Sequence, residues 1–106
     1  MARIPYGYTR QGETWAIEPE QAAVVARIFQ EFGDPYRHTA LSEIARDLNV
    51  DQVATQRGGE WHASTVRYVL ANDAYAGAGG CPVIVDRALF DSVRARLQAL
   101  PMGPAR

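Results

Sequence analysis

Leu41-Ser42-Glu43-Ile44-Ala45-Arg46-Asp47-Leu48 and, after an aperiodic interval, Ala63-Ser64-Thr65-Val66-Arg67-Tyr68-Val69-Leu70-Ala71 together decide the fold. In the first segment Leu41, Ile44, Ala45 and Leu48 fall at i, i+3, i+4 and i+7, an apolar helical stripe that leaves Ser42, Glu43, Arg46 and Asp47 outside. Thr39 is placed to cap its start. The second segment reads as a shorter helix from His62 or Ala63 to Ala71, with Val66, Val69 and Leu70 inward and Thr65, Arg67 and Tyr68 more outward. Asn72 and Asp73 cap its end. Between the two, Asn49 to Glu60 has no period and contains Gly58-Gly59, so it reads as a long loop of the kind that often carries function. Two short helices joined by a loop, with a third helix behind them, make the skeleton of a helix-turn-helix module, in which the later helix enters the major groove and the earlier one braces it.

The helix behind them is the plainest in the chain. Glu18-Pro19-Glu20 opens it, since proline suits the first helical position and acids favour the positive end of the helix dipole. Val24, Val25, Ile28, Phe29 and Phe32 mark its buried face, and Gly33-Asp34-Pro35 stops it. Upstream, Ile4 to Ile17 is aromatic with Gly7 and Gly12 at turn positions, which predicts a short β-hairpin or an irregular arm. Downstream, Ala76-Gly77-Ala78-Gly79-Gly80 is a flexible turn without the context of a phosphate-binding loop. Val83-Ile84-Val85 is a short β-branched run. Asp86 then caps a fourth helix with the stripe Leu89, Phe90, Val93, Leu97 and Leu100, while Arg87, Arg94 and Arg96 lie on its solvated side and Pro101-Met102-Gly103-Pro104 ends it. The expected fold is mainly α, a helix-turn-helix-like bundle of about four helices with a short β-hairpin or strand element.

Composition limits the function. The 106 residues are 47% hydrophobic and 22% charged, the balance of one ordinary globular domain. No apolar run is long enough to span a bilayer and the N-terminus lacks a signal-peptide core, so the expected location is the cytoplasm, away from membranes. Cys81 is the single cysteine, which leaves no internal disulfide and no zinc site of four cysteines or of two cysteines and two histidines; His38 and His62 could add at most two ligands and read as surface or half-buried polar residues. Ser42, Ser64 and Ser92 are the only serines and none sits in a nucleophile-elbow context, so neither an enzyme active site, a cofactor nor a small-molecule substrate is expected.

All eleven basic residues are arginine. The guanidinium matches phosphate and guanine in a bidentate way, which suits nucleic-acid recognition, although a GC-rich coding bias also removes lysine. Residues 1–77 carry seven arginines against ten acids, so any DNA surface must be local. The shorter helix supplies one: Ser64 and Thr65 for phosphates or for capping, Arg67 for a base edge or phosphate, Tyr68 for a phosphate or sugar. Arg57, followed by Gly58 and Gly59, can bring guanidinium and backbone close to a phosphate or into a minor groove. Tyr6, Tyr8, Trp15 and Trp61 read as core anchors at helix–loop junctions in preference to base-stacking platforms.

The ordered motifs Pro5-Tyr6-Gly7-Tyr8, Glu18-Pro19-Glu20, Ala23-Val24-Val25, Ile28-Phe29, Leu41-Ser42-Glu43-Ile44-Ala45 and Leu48-Asn49 continue through Thr55, Arg57-Gly58-Gly59-Glu60-Trp61, Ser64-Thr65-Val66-Arg67, Val69-Leu70-Ala71-Asn72 and Ala74-Tyr75-Ala76-Gly77. As a set they resemble the recombinase DNA-binding domain of large serine recombinases. The resemblance implies a recombinase-type DNA-binding domain over residues 1–77, with residues 78–106 as a short linker and a helix packing on it. It implies a module that reads half of an attachment site in double-stranded DNA and works with a separate catalytic domain or with further copies of itself on DNA, without cutting DNA alone. The chain departs from the family at Gln52, Ala54 and Gln56, where Gly and Pro are usual, which predicts a less rigid loop. Asp51 and Glu60 put acids where a phosphate-facing loop favours neutral or basic residues. His62 replaces a small hydroxyl residue, so the helix cap is expected to be lost or shifted to Ser64. The insert between Gly77 and Pro82 is short, and the zinc-ribbon cysteines are missing. Two other readings fit the same residues: a degenerate fragment acting as a protein-interaction module, and a small stand-alone DNA-binding regulator.

Overall fold

Glu18 begins the first helix because its carboxylate accepts the amide of Gln21 at 2.8 Å while Pro19 follows with its ring already in helical geometry. In the computed structural model, which describes residues 4–37, 40–56 and 58–100, this helix α1 runs over Pro19–Gly33. It buries Val25, Ile28, Phe29 and Phe32, the face expected from their spacing. The chain before it is a hairpin, β1 (Tyr8–Gln11) antiparallel to β2 (Thr14–Ile17), with Tyr8 opposite Ile17 and Gln11 opposite Thr14. The two-residue turn is made by Gly12-Glu13, with Gly12 at φ +64°.

Helix α2 covers Leu41–Val50 and buries Ile44, Ala45 and Leu48. Its N-cap is Ala40, one residue after the expected Thr39, whose own placement is outside the described residues; the Ala40 amide donates to the Glu43 carboxylate at 2.9 Å. Helix α3 covers Ala63–Ala71 and buries Val66, Val69 and Leu70. Short 3-10 turns over Asp73–Ala76 and Ala78–Gly80 carry the chain to helix α4, Arg87–Ala99, which Asp86 starts by accepting the Leu89 amide at 2.8 Å.

The Val83-Ile84-Val85 run forms no strand. The amides of Ile84 and Val85 both donate to the Tyr75 carbonyl, at 2.9 and 3.0 Å, which folds the run into a bend with Val85 in the core and Val83 outside. Tyr75 explains why. Its ring is buried among Phe29 and Tyr8, and its hydroxyl donates to the Tyr6 carbonyl, so the chain on both sides is drawn around it. The Tyr8 hydroxyl lies 2.9 Å from the Ala74 carbonyl and 2.6 Å from that of Pro82, and burial pushes its pKa up to about 12. These rings make one continuous core with α1, α2, α3 and α4. Each fully buried Phe, Leu or Ile contributes about 1.5–3 kcal/mol, and Phe29, Phe32, Leu48, Leu70 and Phe90 are all in it.

Helix α4 packs on α1 and α3, and Arg96 is half-buried, not on the solvated side that its position outside the stripe suggested. Its Nη1 reaches the carbonyls of Phe32, Asp34 and Arg37 at 3.0–3.2 Å, closing the C-terminal end of α1, where carbonyls lack intrahelical partners. Arg87 and Arg94 do stay exposed, each 5.8 Å from the centre of the Phe90 ring.

Candidate nucleic-acid interface

Helices α2 and α3 pack closely, and the connection between them is held by side chains rather than left loose. Asn49, near the end of α2, accepts the Trp61 amide at 2.8 Å and donates to the Trp61 carbonyl at 2.9 Å, so one side chain pins the chain just before α3. The Trp61 ring is buried as expected; its Nε1 donates to the Val53 carbonyl at 3.1 Å. Tyr6 meets that ring edge-on at 5.4 Å and its hydroxyl donates to the Ala54 carbonyl at 3.0 Å. Gln56 donates to the Ile4 carbonyl at 2.6 Å, and the Thr55 hydroxyl to the Gly59 carbonyl at 3.1 Å. The looseness expected from Gln52, Ala54 and Gln56 is therefore offset, because the Ala54 carbonyl and the Gln56 side chain are tied to the N-terminal arm.

The residues expected to face DNA separate into groups. Ser64, Arg67 and Tyr68 are exposed and share one face of α3 at i, i+3 and i+4, with Tyr68 73% exposed. Thr65 is half-buried and turns instead into a cleft of about 310 Å³ between α3 and the arm, walled by Ile4, Pro5, Tyr6, Trp61 and Tyr75, with Tyr68 at its edge. Gly58 is exposed at φ +83° in a turn closed by its amide donating to the Thr55 carbonyl at 3.3 Å. Arg57 is outside the described residues.

Of the two outcomes expected for the α3 cap, it is lost and not shifted. His62 is the N-cap, in extended backbone and without a side-chain cap, so Ser64 sits inside the first turn and leaves its hydroxyl free of that duty. The amides of Ala63, Ser64 and Thr65 have no protein acceptor among the described residues, which makes this helix start attractive to an anion.

Of the two acids that stood out in the sequence, Asp51 faces away. Its carboxylate meets Arg27 of α1 at 2.7 Å, and Arg27 also holds Glu31 at 2.9 Å; the Glu31 hydrogen bond first, then that of Asp51, raises the pKa of the guanidinium further. Glu60 is exposed and borders both the cleft at the arm and a groove along α2. Sequence reasoning did not single out Arg46: on α2, it borders a shallow groove with Ser42, Asn49, Val50, Glu60, His62 and Ala63, and Asp47 is 3.8 Å away. The signal was available, since Arg46 is on the outer side of the α2 stripe.

Among the described residues no helix is long and apolar enough to cross a membrane, and no cluster of three or more His, Cys, Asp or Glu side chains could hold a metal. No curated protein and no solved structure matches the chain significantly. The model of the Recombinase family matches residues 19–99, from the first turn of α1 to the last residue of α4, and so takes in the α2–α3 pair, its tethered connection and the helix that closes the core. The chain therefore belongs to the Recombinase family, which points to a role in site-specific recombination.

Proposed function

We propose that this chain is the attachment-site-reading module of a site-specific serine recombinase, binding double-stranded DNA sequence-specifically with α3 in the major groove. The observation that carries the reading is the single exposed face of α3 that holds Ser64, Arg67 and Tyr68 together, beside an uncapped helix start. In this arrangement the amides at the start of α3 and the Ser64 hydroxyl meet phosphate, Arg67 reads a base edge, and Arg46 of α2 meets the flanking backbone. Thr65 contributes from the edge of its cleft, and Arg57 with Gly58 follows the adjoining strand. Chemistry at the DNA is left to a separate catalytic domain, while further copies of the chain, itself non-catalytic, assemble on the site.

Arg67→Ala is the direct test. Loss of a base-edge contact costs about 1–3 kcal/mol, so affinity for the preferred site should fall roughly tenfold or more and discrimination at one position should vanish. Titrating labelled duplexes with both proteins measures it; unchanged affinity and preference would remove α3 from the groove. The low net charge of residues 1–77 and the apolar cleft beside α3 favour a protein-interaction module as the second reading. Salt separates the two, because phosphate contacts release counterions and weaken steeply as salt rises, whereas an apolar protein interface does not.

A further inference from the structure

Glu60 is the acid the fold keeps on the interface. Glu43 is occupied by the Ala40 amide at 2.9 Å, Asp47 lies 3.8 Å from Arg46, and Asp51 is held by Arg27 at 2.7 Å. Glu60 is exposed, makes no hydrogen bond or ion pair among the described residues, and borders both the cleft at the arm and the groove along α2. It therefore stands on the ridge between the two depressions, two residues before the N-cap of α3. Its position is fixed from behind: Trp61 is buried and its amide is locked to Asn49 at 2.8 Å, so the Glu60–Trp61 peptide has little freedom.

An ionised carboxylate only accepts hydrogen bonds, and near phosphates it is repelled unless it finds a donor. In the major groove the donors are the exocyclic amino groups of cytosine and adenine. Adenine places its N7 acceptor beside that amino group, which disfavours a second acceptor, whereas cytosine offers the donor alone. Resting on the DNA-binding reading above, we propose that Glu60 is a specificity-determining residue, its carboxylate accepting from the N4 amino group of a cytosine next to the bases read by α3. The acid is thus a reader that penalises every site lacking cytosine at that position.

The test is selection of sites from a randomised double-stranded library with the natural chain, Glu60→Ala and Glu60→Gln, thermal melting confirming that both variants are folded. The natural chain should prefer cytosine at one position by about tenfold. Glu60→Ala should flatten that position alone, and Glu60→Gln should move it toward adenine, whose N6 and N7 a glutamine amide matches. Retention of every preference in both variants, with tighter binding to all sequences, would overturn the proposal and leave Glu60 a mere source of repulsion. Failure of the natural chain to select any site would overturn the DNA-binding reading itself and this inference with it.

Discussion

Trp61→Ala is expected to lower the stability of the domain by about 4 kcal/mol, the range for deleting a buried tryptophan. The side chain is 2% exposed, donates from Nε1 to Val53 at 3.1 Å and meets the Tyr6 ring at 5.4 Å, so its loss empties part of the core and frees the chain on both sides of it. A domain of this size has about 5–15 kcal/mol in total, and each kcal/mol is worth about 4 °C, so Tm should fall by roughly 15 °C. Urea unfolding followed by circular dichroism measures it. Because Trp61 also anchors the approach to α3, any DNA binding should weaken before the domain melts. A loss near 1 kcal/mol would mean that the α2–α3 connection is held chiefly by Asn49.

Gly7→Ala is expected to cost about 3 kcal/mol, from two sources that add. The backbone at φ +105° disfavours any side chain by about 1–2 kcal/mol, and the new Cβ would sit 3.1 Å from Ile84 Cδ1, 3.3 Å from Val25 Cγ2 and 3.4 Å from Tyr75 Cε1, which crowds the core by about 1–3 kcal/mol more. The backbone cannot turn away to relieve this. The Gly7 amide donates to Gln21 at 2.9 Å and its carbonyl accepts from the Glu18 amide at 2.9 Å, which ties the arm to the start of α1. Gly12→Ala is the matched control: it also has positive φ, but nothing lies within 4 Å of its Cβ position, so only the backbone cost of about 1 kcal/mol applies. Equal losses in the two variants would show that the packing around Gly7 yields.

What could be read from residue order was what depends on near neighbours. The stripes of α1, α2, α3 and α4 follow from spacing of three or four residues, the start of α1 at Pro19 and the Asp86 cap from residue type, and the structure has them all. The same periodicity put Thr65, Arg67 and Tyr68 outward, and of these Arg67 and Tyr68 are exposed while Thr65 is half-buried. What spacing did not show has a different cause, partners beyond its reach of three or four residues. Arg96 was assigned to solvent because the carbonyls it caps belong to a helix end about sixty residues earlier. Val83–Val85 has strand-forming side chains, but its amides go to Tyr75. Thr65 turns into a cleft whose far wall, Ile4 to Tyr6, comes from the start of the chain, and Asp51 is held by an arginine on α1. Residue type alone gave no account of these partners, since any of several arginines or carbonyls met the same chemical need.

The ties that hold the arm have a consequence for the order of folding. The hydrogen bonds of Tyr6, Tyr8, Gln56 and Tyr75 join residues 48 to 74 positions apart, whereas Asn49 reaches Trp61 across only 12. Closing a longer loop forfeits more chain entropy before any contact is gained, so the α2–α3 pair can assemble early while the arm shuts over it late. Tyr6→Phe, which removes one such bond, should then leave the refolding rate nearly unchanged and speed unfolding, a pattern stopped-flow kinetics would reveal. The wall of the cleft beside α3 is in that case the last part of the molecule to form and the first to come undone.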